Sequence, residues 1–142
     1  MNKQIFVNLP VKDLARSKAF FEALGFVNNP QFSDDKAACM VVSDTIYVML
    51  LTEAYFQTFT AKPVADASKS TEVLLCLSCD SRAAVDDMAA AAKAAGGAWP
   101  SAPKDHGFMY QHGFEDLDGH IWELVYMEAM PEQQPATADA AI

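Results

Sequence analysis

Glu115-Asp116-Leu117-Asp118-Gly119-His120-Ile121-Trp122-Glu123-Leu124 reads as a tight turn feeding a strand, and it decides how the rest of the chain divides. Asp118-Gly119 is the pair that tolerates the left-handed backbone of a hairpin turn. Beyond it, His120 to Met127 has strand character, so Gly107 to Phe114 becomes its partner across the turn. The strand carries one carboxylate, Glu123, between Trp122 and Leu124. A charge so placed must face a wet cavity or find a partner.

Upstream of this hairpin lies a strand over Val73 to Cys79, a cap at Asp80 or Ser81, and an alanine-rich helix. Val85, Met88, Ala89 and Ala92 form the helix's inner stripe, and Gly96-Gly97 stops it. Ala98-Trp99 is a short strand candidate. The first half has the same order: a strand over Ile5 to Val11, Asp13 as cap, a helix over Leu14 to Leu24, and Gly25 as the stop. On that helix Leu14, Ser17 or Ala19, Phe20, Phe21 and Leu24 line one face, while Arg16, Lys18 and Glu22 face water. Strands are predicted over Phe26 to Phe32, Ala37 to Val42 and Ile46 to Leu51, with turns near Asp34-Asp35 and Ser43-Asp44. A β-α-β-β-β unit is therefore written twice. Thr52 to Thr60, with Tyr55, Phe56 and Phe59, reads as a short helix, and Ala61 to Ser70 as a polar connector. The division is one α+β domain over residues 1–130, with module one about 1–60 and module two about 70–130. A Pro-, Gln- and Ala-rich tail over 131–142 has little to bury.

A chain of 142 residues, 51% of them hydrophobic, has room for one core. The 19 acidic and 10 basic residues give a net charge of -9, and the cations are scattered, which opposes binding to a phosphate backbone. The longest apolar run, Ile46 to Leu51, falls far short of the roughly 20 residues of a membrane-spanning helix. Met1 to Ile5 lacks a secretory pattern, which makes the cytoplasm the expected location. Cys39, Cys76 and Cys79 cannot all pair within one chain and fit a reducing compartment. Cys76 and Cys79 have the spacing of a redox motif, but residues three apart on a strand face opposite sides, which excludes that role.

The doubled unit, together with Val11-Lys12-Asp13-Leu14 and the closing 115–124 segment, resembles the vicinal oxygen chelate superfamily over residues 3 to 128. That superfamily includes glyoxalase I, bleomycin-resistance proteins and extradiol dioxygenases. The resemblance implies paired β-α-β-β-β modules that form a curved, partly closed mixed sheet around a cavity with helices outside, and a homodimer. It also implies four metal-ligand positions, one on the first and last strand of each half. They fall on Phe6, on Met49 or Leu50, on Leu74, and on Glu123; a shift of two residues would replace Leu74 by Glu72. Only Glu123 is a strong donor in the unshifted register, and zinc or nickel needs at least three.

Strand parity sends Phe6, Asn8, Leu74, Cys76, Ile121, Glu123 and Val125 toward the cavity. Of these, Phe6, Asn8, Leu74 and Cys76, with Met49 and Tyr110, form the ligand-binding set. His112 joins it only if its strand face looks inward, the alternative being an ordinary hydrogen-bonded histidine. Glu123 is the catalytic candidate, as a proton shuttle beside a carbonyl, against an idle carboxylate paired across the sheet. His120 points away from Glu123 and stabilises the turn; His106 lies in a loop. The expected function is metal-independent binding of a small organic molecule, with no cofactor, nucleic acid or membrane partner. The alternative is a glyoxalase-like lyase or isomerase holding one zinc or nickel ion with Glu123, Glu72 or His112.

Overall fold

A computed structural model describes residues 2–128, so the tail expected over 131–142 lies outside the described residues. Strand β1 (Ile5–Val11) leads into helix α1 (Leu14–Ala23), whose first turn is capped by Asp13 accepting from Arg16 N. Gly25, with φ of +101°, reverses the chain after the helix, the backbone state that glycine adopts without a Cβ penalty. Ser17, Phe20 and Phe21 are buried while Ala19 is exposed, which settles the helix face.

The strand predicted over Phe26 to Phe32 is shorter. Strand β2 (Val27–Asn29) gives way to a 3-10 turn, Pro30–Phe32, because Pro30 has no N–H for a ladder and the Asn29 side chain accepts from Gln31 N. Strands β3 (Ala37–Val41) and β4 (Ile46–Thr52) follow, and Thr52 caps a short helix α2 (Glu53–Gln57). The second module repeats the order with β5 (Leu74–Ser78), α3 (Arg82–Ala94), β6 (Lys104–Asp105), β7 (Met109–Glu115) and β8 (Ile121–Met127). Ser81, not Asp80, caps α3, by accepting from Ala84 N. Ala98 makes only an isolated bridge to Glu115, and the two-residue β6 takes the fourth place in the sheet.

The strands form two four-stranded mixed sheets, ordered β1-β4-β3-β2 and β5-β8-β7-β6, neither closed into a barrel. In each, the first strand runs parallel to the last strand of its module. Leu9, Val11, Trp122 and Leu124 are buried with α1 and α3 side chains in one core cluster. The halves share it: Phe21 of α1 lies 5.4 Å from the Trp122 ring and Phe20 lies 6.0 Å from Phe114, both partners being in the second sheet. Alternation then puts Phe6, Asn8, Leu74, Cys76, Ile121, Glu123 and Val125 on the faces turned away from the helices. Among the described residues no helix is long and apolar enough to cross a membrane.

Candidate functional site

A cavity of about 650 Å³ lies at the seam between the modules. β1 and β5 are the outer strands of their sheets, and Val7, Leu9 and Leu75 border the space together with Phe56, Val64 and Ile121. The connector after α2 contributes the rest of the wall. Gln57 Nε2 pins it by donating to Thr60 O (3.0 Å) and Lys62 O (2.8 Å), and Asp66 Oδ1 accepts from Ser68 N and Oγ. Those Ser68 bonds hold the Asp66 carboxyl below its ordinary pKa.

The turn of the closing motif seals the other end. Asp118 Oδ1 accepts from Lys12 N at 2.9 Å, and His120 Nε2 lies 2.9 Å from Pro10 O, so the second module's turn grips the end of β1. Gly119, at φ +94°, packs so tightly that a Cβ there would meet Ala67 O at 2.8 Å. The turn itself hangs on Asp116, which is buried and accepts from Asp118 N, His120 N and Trp122 Nε1. Burial pushes the Asp116 carboxyl up, against the pull of His120 and of these hydrogen bonds. His120 therefore does more than stabilise the turn: it crosses to the other module and borders the cavity.

Glu123 does not line this cavity. Its β7 partner is Gly113 and its β5 partner is Cys76, and it borders a separate pocket of about 40 Å³ together with Lys104 and Gln111. Burial and then the nearby Glu123 carboxylate raise the Cys76 thiol pKa. Lys104 pairs with Gln111 across β6 and β7, so both share the Glu123 face. Neither was singled out from sequence, although the Asp118-Gly119 turn, counted outward, puts Gly113 opposite Glu123 and Gln111 two places on. The apolar hollow and the lone acid, expected in one place, occupy two.

The structure sets the remaining candidates as follows. Phe6 pairs with Tyr47 and their rings stack at 4.6 Å, while Asn8 pairs with Met49. Leu50 is buried in the core, so Met49 is the residue on the Asn8 face. Leu74 pairs with Ile121. Asn8 alone of the ligand-binding set borders the seam cavity. Tyr110 and His112 are on the helix face of β7, away from Glu123: Tyr110 donates to Asp86 Oδ1 of α3 at 2.6 Å, and the His112 ring lies 4.7 Å from that of Trp99. This corrects the inward placement of Tyr110, and for His112 it gives the alternative of an ordinary buried histidine.

The donor set does not fit a metal ion. Glu72 borders the seam cavity and Glu123 the small pocket; His112 also borders the small pocket, but its place opposite Leu124 turns its side chain to the other face of the sheet. Among the described residues no three His, Cys, Asp or Glu side chains gather closely enough to hold one.

Burial lowers the His112 pKa from its ordinary 6.5. A group whose folded pKa is depressed supplies stability above its unfolded value and loses it as pH falls through the folded value. Wild type should therefore lose stability relative to His112→Phe as pH is taken from 7.5 down through the histidine range. Urea midpoints of both proteins across that range check this; a constant difference refutes it.

A family model described as bleomycin resistance protein-like N-terminal matches residues 3–43. Among solved structures, a hypothetical protein from S. aureus is 30% identical over 89% of this chain and 95% of that one, with a TM-score of 0.74. A glyoxalase/bleomycin resistance protein/dioxygenase family enzyme from Burkholderia phytofirmans PsJN has a TM-score of 0.74 at 20% identity, over 89% of this chain and 99% of that one. An antibiotic-binding protein from Streptomyces sp. CB03234 has a TM-score of 0.62 at 21% identity, over 89% and 97%. At these identities the last two show likeness of fold. The search of curated proteins gives no match. Its doubled module, its closing turn and strand, and these likenesses together show that the chain belongs to the vicinal oxygen chelate superfamily.

Proposed function

We propose that this protein binds a small, largely apolar organic molecule in the seam cavity, without the metal ion used by enzymes of its superfamily. The observation that carries the reading is the cavity itself. Its volume of about 650 Å³ is within the range of ligand pockets, roughly 300–1,000 Å³, and its lining is apolar with a few polar groups at fixed places. The antibiotic-binding protein of similar fold supports a binding role. Three free thiols, Cys39, Cys76 and Cys79, accord with a cytoplasmic setting. Half-exposed Phe6 and Leu74, on the sheet faces turned from the helices, are apolar surface that a second copy would cover in a homodimer.

The lyase or isomerase reading is the less supported one, because Glu72 borders a different cavity from Glu123 and the His112 side chain is on the other face of the sheet. A thermal-shift screen of small organic molecules tests the proposal. Hits raise Tm in wild type and lose the effect in Val64→Trp, where an indole occupies the cavity wall, while Glu123→Gln keeps it. Nickel or zinc added to chelator-treated protein leaves Tm unchanged. Hits that survive Val64→Trp and vanish in Glu123→Gln, or a metal-dependent rise in Tm, would overturn the reading.

A further inference from the structure

Resting on the reading of the seam as a binding site, we infer that residues 61–73 are a strap that swings aside to admit the ligand and is latched shut where Asp66 meets Lys12. This segment, with Thr60 before it, supplies about half of the residues lining the cavity. It contains no helix or strand and none of its residues is buried: Val64, Asp66 and Ala67 are half-buried and the others exposed. Among the described residues its backbone-to-backbone hydrogen bonds, Lys69 N and Ser70 N to Asp66 O, stay within the segment. A wall that bonds to itself and has solvent behind it opens at low cost, without unfolding the sheets beside it.

The strap's ties to the body fall at its ends and its middle. Gln57 Nε2 donates to Thr60 O and Lys62 O, which makes that end the hinge, and at the far end β5 begins with Leu74. In the middle, Ala67 rests against Gly119, and Asp66 Oδ1 lies 3.9 Å from Lys12 Nζ. Lys12 stands just past β1, and its backbone N is held by Asp118 Oδ1, so this half of the latch stays with the body. Lys12 Nζ also lies 3.4 Å from Glu53 Oε2, which keeps the ammonium in place to recapture Asp66 after each opening. Glu53 and then Asp66 raise the Lys12 pKa, so its charge persists at neutral pH. The Lys12 and Asp66 side chains are both exposed, so their attraction is weak and screened by salt, as suits a contact that must release for every binding event.

Trypsin reads this motion, because the Lys69-Ser70 bond must leave its seat to enter the protease. Wild type should be cut there while the rest of the fold persists. Lys12→Met and Asp66→Asn each remove one partner of the latch and should be cut about threefold faster, with Lys3→Met at the wild-type rate. Raising sodium chloride from about 0.05 M to about 0.5 M should speed the wild-type cut and leave both latch variants unchanged, once a peptide substrate has corrected for trypsin itself. The ligand probe is N-phenyl-1-naphthylamine, an uncharged aromatic amine whose emission rises in apolar surroundings; a screened hit takes its place where the amine does not bind. Bound probe should slow the cut, and it should leave Lys12→Met about threefold faster than wild type in stopped-flow measurements. A Lys69-Ser70 bond that survives until the whole protein unfolds, equal cutting of wild type and both latch variants, or cutting that bound probe does not slow overturns the inference while leaving the cavity reading intact. Failure of the amine and of every screened molecule to bind wild type overturns the cavity reading, and this inference with it.

Discussion

Trp122→Ala is expected to remove about 4 kcal/mol of folding stability, a large share of what a domain of this size possesses. The side chain is 2% exposed and its ring touches aromatic rings from both modules: Phe114 at 5.9 Å, Phe21 at 5.4 Å and Phe26 at 6.0 Å. Alanine leaves a cavity that these rings cannot all collapse into. It also strips the Nε1–H from Asp116 Oδ2, a 3.1 Å bond to a carboxylate that is itself 6% exposed. Trp122→Phe separates the two contributions. It keeps most of the ring packing, drops only the N–H, and should cost about 1–2 kcal/mol. Urea unfolding followed by far-ultraviolet circular dichroism measures both without relying on the indole as reporter. A loss under about 1 kcal/mol for the alanine variant would contradict a core shared between the modules.

Gly119→Ala carries the second large effect. Its φ of +94° disfavours any L side chain, and an added Cβ would meet Ala67 O at 2.8 Å and Ser68 Cα at 2.9 Å. Both obstacles are backbone, so the connector has to move away from the turn. The expected cost is about 3 kcal/mol, from the left-handed conformation and the displaced connector together. That corresponds to a fall in Tm of roughly 10 °C. Gly25→Ala is the control, since φ there is +101° but nothing lies within 4 Å of the added carbon. It should show only the conformational part, about 1 kcal/mol. Equal losses at the two sites would mean that the contact with Ala67 adds no cost.

The repeated unit could be read along the chain because its signals are local. Asp13 and Ser81 cap helices through bonds to residues three places on, Gly25 and Gly96 reverse the chain after those helices, and strand alternation placed Leu9, Val11, Trp122 and Leu124 in the core. What the sequence hid depends on contacts between distant residues. Residues 61–70 read as a polar connector, yet Val64 and Ala67 wall the cavity, and the Gly119 turn more than fifty positions later packs against Ala67 and Ser68. Lys104 precedes the strand expected from Gly107, and only its pairing with Gln111 across β6 and β7 brings it to the Glu123 face. Which face of β7 looks inward depends on the β7–β8 register: the pairing of Gly113 with Glu123 turns Tyr110 away from the expected pocket and gives His112 its alternative place among the core residues. The four metal-ligand positions came from family resemblance, and the residue types standing there already argued against an ion.

The aromatic filling shared between the modules has a consequence for cooperativity. If the first repeat melted alone, Trp122 and Phe114 would lose Phe20, Phe21 and Phe26 as neighbours and meet water instead. The duplicated halves are therefore one thermodynamic unit, and a polypeptide cut at the connector would yield two fragments, each missing the lining of its own interior.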